Sequence, residues 1–135
     1  MGKTITEVAE LRARLNRLFK EIEYYEDIIQ DFSHYENEGG MPSHRNPKED
    51  AIVRKADALQ EYTDTQERLL EAMQRLTLCI SSLDVRTEVK RATYLFYVQG
   101  LSLDSIGEQM HYSKTQTHRL KEEGRDAYES QHRDS

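Results

Sequence analysis

Apolar residues recur every seven positions along the first quarter of this chain, and that repeat narrows what it can become. Val8, Leu15, Ile22 and Ile29 form one row, and Leu11, Leu18, Tyr25 and Phe32 form the second. Two such rows are the a and d positions of four heptads, the pattern of a helix that buries one narrow seam against another helix. Thr4 followed by Glu7 has the spacing of a capping box at the entrance. The repeat predicts a first helix over residues 4–37. Glu38-Gly39-Gly40-Met41-Pro42-Ser43-His44-Arg45-Asn46-Pro47 then breaks it, because paired glycines end a helix and prolines delay the next.

A second helix is expected over residues 48–83, with Glu49 and Asp50 suiting its N-terminal dipole. Leu59, Tyr62, Leu69, Met73, Leu76, Ile80 and Leu83 continue the heptad spacing, with Gln66 the polar exception. Two helices of similar length on a short loop fold most economically as an antiparallel hairpin. Such a hairpin has little interior of its own, so residues 1–84 read as an oligomerisation arm with its loop at 38–47. The expected fold class is all-α: a long coiled-coil-like hairpin followed by a small C-terminal module over residues 85–128 and a polar tail at 129–135.

Composition agrees with long amphipathic helices. The 135 residues are 33% charged and 36% hydrophobic, with no Trp and two prolines, too polar for a large globular core. Cys79 stands alone, which excludes an intrachain disulfide and a thiolate metal cluster. It reads as a small hydrophobe beside the seam. No apolar run has the length of a signal peptide or a membrane span, so the expectation is a soluble cytoplasmic protein in a reducing compartment.

The formal charge of −6 is unevenly spread. Residues 1–84 carry eleven Lys and Arg against seventeen acids, while residues 85–128 carry seven against six. From residue 85 the pattern shifts to shorter helices. Arg86–Val98 reads as one, with Val89, Ala92, Leu95 and Phe96 inward and Gly100 ending it. Ser102 caps a short helix over Leu103–Met110, His111-Tyr112 turns, and Ser113 caps a third helix reaching about Tyr128. Ile106, Met110, Tyr112, Thr117 and Leu120 are its expected core, with Gly107 where the two helices cross.

That spacing is that of a helix-turn-helix. The outward face of the third helix offers Lys114, Thr115, Gln116, His118, Arg119 and Lys121, side chains of the kind that reach base edges and phosphates. Ser113 and the helix N-terminus suit a backbone phosphate, and Arg86, Lys90, Arg91 and Arg125 suit the flanking backbone. Double-stranded DNA is therefore the expected partner, bound by a homodimer or higher homo-oligomer. No Gly-rich phosphate loop, nucleophile motif or metal-spaced histidine pair appears, so neither an enzyme nor a cofactor or metal site is expected.

The stretch Tyr97-Val98-Gln99-Gly100-Leu101-Ser102-Leu103-Asp104-Ser105-Ile106-Gly107-Glu108-Gln109-Met110, continued by Tyr112 to Leu120, resembles region four of sigma-70-class sigma factors. His111 stands where that motif often has Gly, and Thr117 where it has Val or Ile. A histidine adopts the left-handed turn more readily than most residues, whereas the threonine hydroxyl needs a partner. The whole chain resembles phage late-gene transcriptional activators of the RinA and ArpU type. The resemblance implies binding upstream of packaging and structural genes in the bacterial host and contact with host RNA polymerase. Two alternatives stay open: a small terminase subunit recognising DNA for packaging, and an RNA-polymerase-binding module without DNA binding.

Overall fold

The computed structural model describes residues 3–37 and 47–132. Among them every regular element is helical: α1 (Lys3–Asn37), α2 (Pro47–Ser81), α3 (Thr87–Thr93) continuing into a π turn (Tyr94–Val98), α4 (Leu103–Met110) and α5 (Lys114–His132). The fold is all-α. The break expected at residues 38–47 lies outside the described residues except for Pro47. That proline opens α2, where its missing N–H is no loss, and Glu49 and Asp50 sit in the first turn. Thr4 lies inside α1, and its expected capping partner Glu7 bridges instead to Arg75 at 3.0 Å.

The chain forms two compact units, residues 11–68 and residues 1–10 with 69–135. In the first, Arg14 meets Glu61 at 3.6 Å and Glu26 meets Lys55 at 3.4 Å. Later residues of α1 thus pair with earlier residues of α2, and the helices run antiparallel. Leu18 and Ile22 are buried from α1, and Ala51, Ala58 and Thr65 from α2. The α2 seam here is a heptad row of small side chains one residue ahead of the expected Leu59–Gln66 row, which is exposed. Helix axes approach most closely where side chains are short, so the small row faces the partner and the larger residues flank it.

The second unit holds the C-terminal module together with the start of α1 and the end of α2. Its interior takes Val8 from α1, Leu69, Ala72, Leu76 and Ile80 from α2, and Leu83 beyond it. Val89, Ala92 and Leu95 pack with Ile106 and Leu120 into one cluster, flanked by Val85, Phe96, Leu101, Met110 and Tyr112. Lys90 donates from Nζ to the Ser81 carbonyl at 2.8 Å, satisfying one of the orphan acceptors at the end of α2. Tyr128, only 1% exposed, is the largest of the fully buried side chains. Burial pushes its phenol pKa up, a hydrogen bond with Thr4 opposes that shift, and Cys79 lies within electrostatic reach. One side chain of α5 is thus tied to the start of α1.

α3 and α5 cross where Gly124 meets Thr93: a Cβ at position 124 would collide with the threonine side chain. Glycine weakens a helix interior by about 1 kcal/mol relative to Ala, and the close approach is what it permits here. Thr93 stays satisfied by donating to the Val89 carbonyl at 2.6 Å.

Candidate nucleic-acid interface

The α4–turn–α5 segment is built by local sequence rules. The Ser102 hydroxyl accepts from the Ser105 amide at 3.2 Å and caps α4. The preceding π turn closes with a bond from the Gln99 amide to the Tyr94 carbonyl. Gly100 then takes φ 70°, and Leu101 reaches back to the Leu95 carbonyl at 3.0 Å, the closure of a Schellman-type helix end. His111 adopts φ 61° and ψ 42°, the left-handed position that the sequence assigns to it. With that residue turned, the Tyr112 amide bonds to the Gly107 carbonyl at 2.9 Å.

Gly107 is buried at the crossing of α4 and α5. A Cβ there would lie 2.8 Å from the Tyr112 carbonyl oxygen and 3.2 Å from Thr117 Oγ1, too close for any other residue without movement. The Thr117 hydroxyl, the polar atom in an otherwise apolar position, donates to the Ser113 carbonyl at 2.8 Å. Ser113 Oγ accepts from the Gln116 amide at 3.2 Å, and Gln116 Oε1 accepts from the Ser113 amide at 2.9 Å. This is a reciprocal capping box at the start of α5.

Lys114, Thr115, Gln116, His118 and Arg119 are all exposed on the first turns of α5. Among the described residues, Thr115 and Arg119 make no ion pair and no side-chain hydrogen bond. Lys114 lies 3.9 Å from Asp104 with both side chains largely in solvent, and His118 lies 3.8 Å from Glu122. The side-chain oxygen of Gln116 is held by the cap, which leaves its amide NH₂ outward. Ser113 offers its hydroxyl to that same cap.

The cations expected to flank this face are placed differently from one another. Arg91 is exposed and has no intramolecular partner among the described residues. Arg86 reaches Glu123 at 3.2 Å and Glu88 at 3.7 Å. Lys90 is the cap of α2. Arg125 pairs with Glu129 at 3.1 Å, and that hydrogen bond, with Tyr97 beside it, holds its pKa up. Lys121 turns inward: its side chain is 12% exposed, its Nζ lies 2.8 Å from Glu122 and 4.6 Å from the centroid of Phe96. The hydrogen bond and charge of Lys121 hold the Glu122 carboxyl below its ordinary pKa. Cation–π contact and burial of the lysine stem make Lys121 a packing residue in this structure.

A signal for that placement was present in the sequence. Thr117, Lys121, Gly124 and Tyr128 are spaced by four, three and four, one helical stripe, and three of them are fully buried. Thr93, Gly124 and Tyr128 are the structural residues that sequence reasoning missed, because none stands out by composition. Beside the turn, Asp104 and Glu108 with Leu103, His111 and Lys114 line an open hollow of about 570 Å³. Its two carboxylates outnumber the Lys114 ammonium, so the hollow itself disfavours phosphate.

Comparison with known protein families, curated proteins and solved structures finds no match to this chain. Among the described residues, no three His, Cys, Asp or Glu side chains converge as a metal site, and no helix is long and apolar enough to cross a membrane.

Proposed function

We propose that this chain is a sequence-specific DNA-binding transcriptional regulator, with α5 as the recognition helix, acting as a homodimer or higher oligomer. The observation that carries the reading is the α4–α5 pair itself. A glycine crossing, a left-handed turn residue and a reciprocal cap support an exposed helix start whose unengaged groups include Thr115 and Arg119. In this reading Lys114, Thr115, His118 and Arg119 face base edges, and Arg91 with the amides at the start of α5 holds phosphates. Arg86, Lys90, Lys121 and Arg125 orient the module through their intramolecular bonds. Activation of phage late genes through host RNA polymerase is the role that the resemblance adds.

With so many cations engaged internally, one copy offers few phosphate contacts. Affinity then depends on two copies acting together, with recognition helices about 34 Å or a multiple apart. The same observation favours a second reading, a module that binds RNA polymerase and not DNA. The deciding measurement is binding of the full chain to duplexes from the genomic region around its own gene, across a salt series. Saturable, sequence-selective binding that weakens steeply with salt is the expected result. Arg119→Ala should then cost about 1–3 kcal/mol of specific binding. Absence of duplex binding at low salt overturns the DNA reading in favour of the second one.

A further inference from the structure

Gln116 is the one side-chain amide between Lys114 and Arg119, and the start of α5 already uses its oxygen. Oε1 accepts from the Ser113 amide at 2.9 Å, which folds the side chain back over the first turn of its own helix. Reading adenine in the major groove needs an amide laid edge-on, its oxygen to N6 and its nitrogen to N7. Gln116 takes that pose only by releasing the cap. Guanine presents two acceptors there, O6 and N7, and calls for two parallel donors. Arg119 supplies them, because its guanidinium carries donors alone in a fixed fork. It is exposed, and among the described residues it makes no ion pair and no side-chain hydrogen bond. Lys114 adds an ammonium on the same two turns, and Thr115 a hydroxyl and a methyl.

The outer side of α5 changes character immediately after Arg119. Thr115, Arg119, Glu122 and Asp126 are spaced by four, three and four, opposite the inward stripe of Thr117, Lys121, Gly124 and Tyr128. The cations near its later turns are engaged: Lys121 with Glu122, Arg86 with Glu123, and Arg125 with Glu129. Asp126 adds a further exposed carboxylate. Phosphates are repelled from that half of the helix, so contact with a duplex is confined to Lys114–Arg119. Five residues of helix rise about 7.5 Å, close to two base-pair steps of about 3.4 Å each.

We infer that each copy reads one guanine through Arg119, within a half-site of about two or three base pairs, and reads no adenine through Gln116. The inference deepens the DNA-binding reading above and rests on it. Arg119 is then the specificity-determining residue, and Gln116 acts through the cap that positions it.

The test is selection of duplexes by the full chain from a randomised pool, followed by titration of the selected duplex. Wild type should enrich a fixed guanine in each half-site. Exchanging that base for 7-deazaguanine keeps its pairing but removes N7, and should weaken wild-type binding about tenfold. Arg119→Ala should bind the guanine and 7-deazaguanine duplexes equally, with helicity unchanged by circular dichroism. Should that variant lose helicity, Arg119→Gln makes the same test with a good helix former. Gln116→Glu keeps an acceptor for the cap and should select the same bases as wild type, at lower affinity from its added charge. Half-sites fixed by A·T pairs alone, a 7-deazaguanine penalty that is absent in wild type or persists without Arg119, or an adenine lost from the Gln116→Glu selection overturns the inference. Any of these with selective binding intact leaves the DNA reading standing, whereas a chain that selects no duplex removes both.

Discussion

The two units draw on the same long helices and bury them to very different degrees. Around the end of α2, three short helices supply a third layer, and Val8, Leu76, Leu83, Val89, Val98, Ile106 and Tyr128 lose nearly all contact with solvent. Among the described residues of 11–68, two helices pack on each other. The row between them closes, while Phe19, Tyr24, Ile52, Val53 and Leu59 stay exposed. Apolar content does not separate the regions; the number of layers does. A heptad repeat secures one contact seam, and a complete interior needs a further element or a further chain.

Tyr128→Ala should strain that contrast hardest. Removing a fully buried aromatic that ties α5 to the start of α1 should cost about 3–5 kcal/mol, read by urea unfolding. Hydrogen exchange should lose protection in α3–α5 while the amides of residues 14–30 keep theirs. Equal loss in both places would show that the units unfold as one cooperative block and end the comparison. Gly124→Ala comes next. The new methyl meets the Thr93 side chain at its branch point, where neither can swing aside, and overpacking of this kind costs about 1–3 kcal/mol. A stabilised variant would show that α3 and α5 have slack at their crossing. Ser113→Ala should be smallest, about 1 kcal/mol for a lost cap. Combined with Gln116→Ala it should cost less than the sum of the two, because the two side chains form one reciprocal pair.

Much of this arrangement was legible beforehand, for identifiable reasons. Heptads, the Gly-Pro break and the serine caps are local signals, and α1, α2, α4 and the start of α5 fall within a residue or two of their expected limits. The assignment of Gly107, His111 and Thr117 also followed from local geometry: a crossing, a left-handed turn, a position on the inner face. What stayed hidden depends on partners distant in the chain. Leu59 and Ala58 are both apolar neighbours, and only the approach of α1 decides which is buried. Lys121 reads as a surface cation until Phe96 is known to lie beneath it, and Arg86 reads as free until Glu123, thirty-seven residues later, comes beside it. The division of the chain lies at residues 10/11 and 68/69, inside both long helices, where composition gives no boundary to find.

The seat of Tyr128 also contributes to how accurately α5 is aimed. A helix is a stiff rod, and Lys114 stands fourteen residues from that tyrosine, about 21 Å at 1.5 Å per residue. A tilt of roughly 5° at the seat swings the first turn of α5 by nearly 2 Å, on the scale that separates a good hydrogen bond from none. The pointing accuracy of the exposed end therefore depends on a phenol ring buried at the other, acting together with Thr117, Leu120 and Gly124 along the same helix.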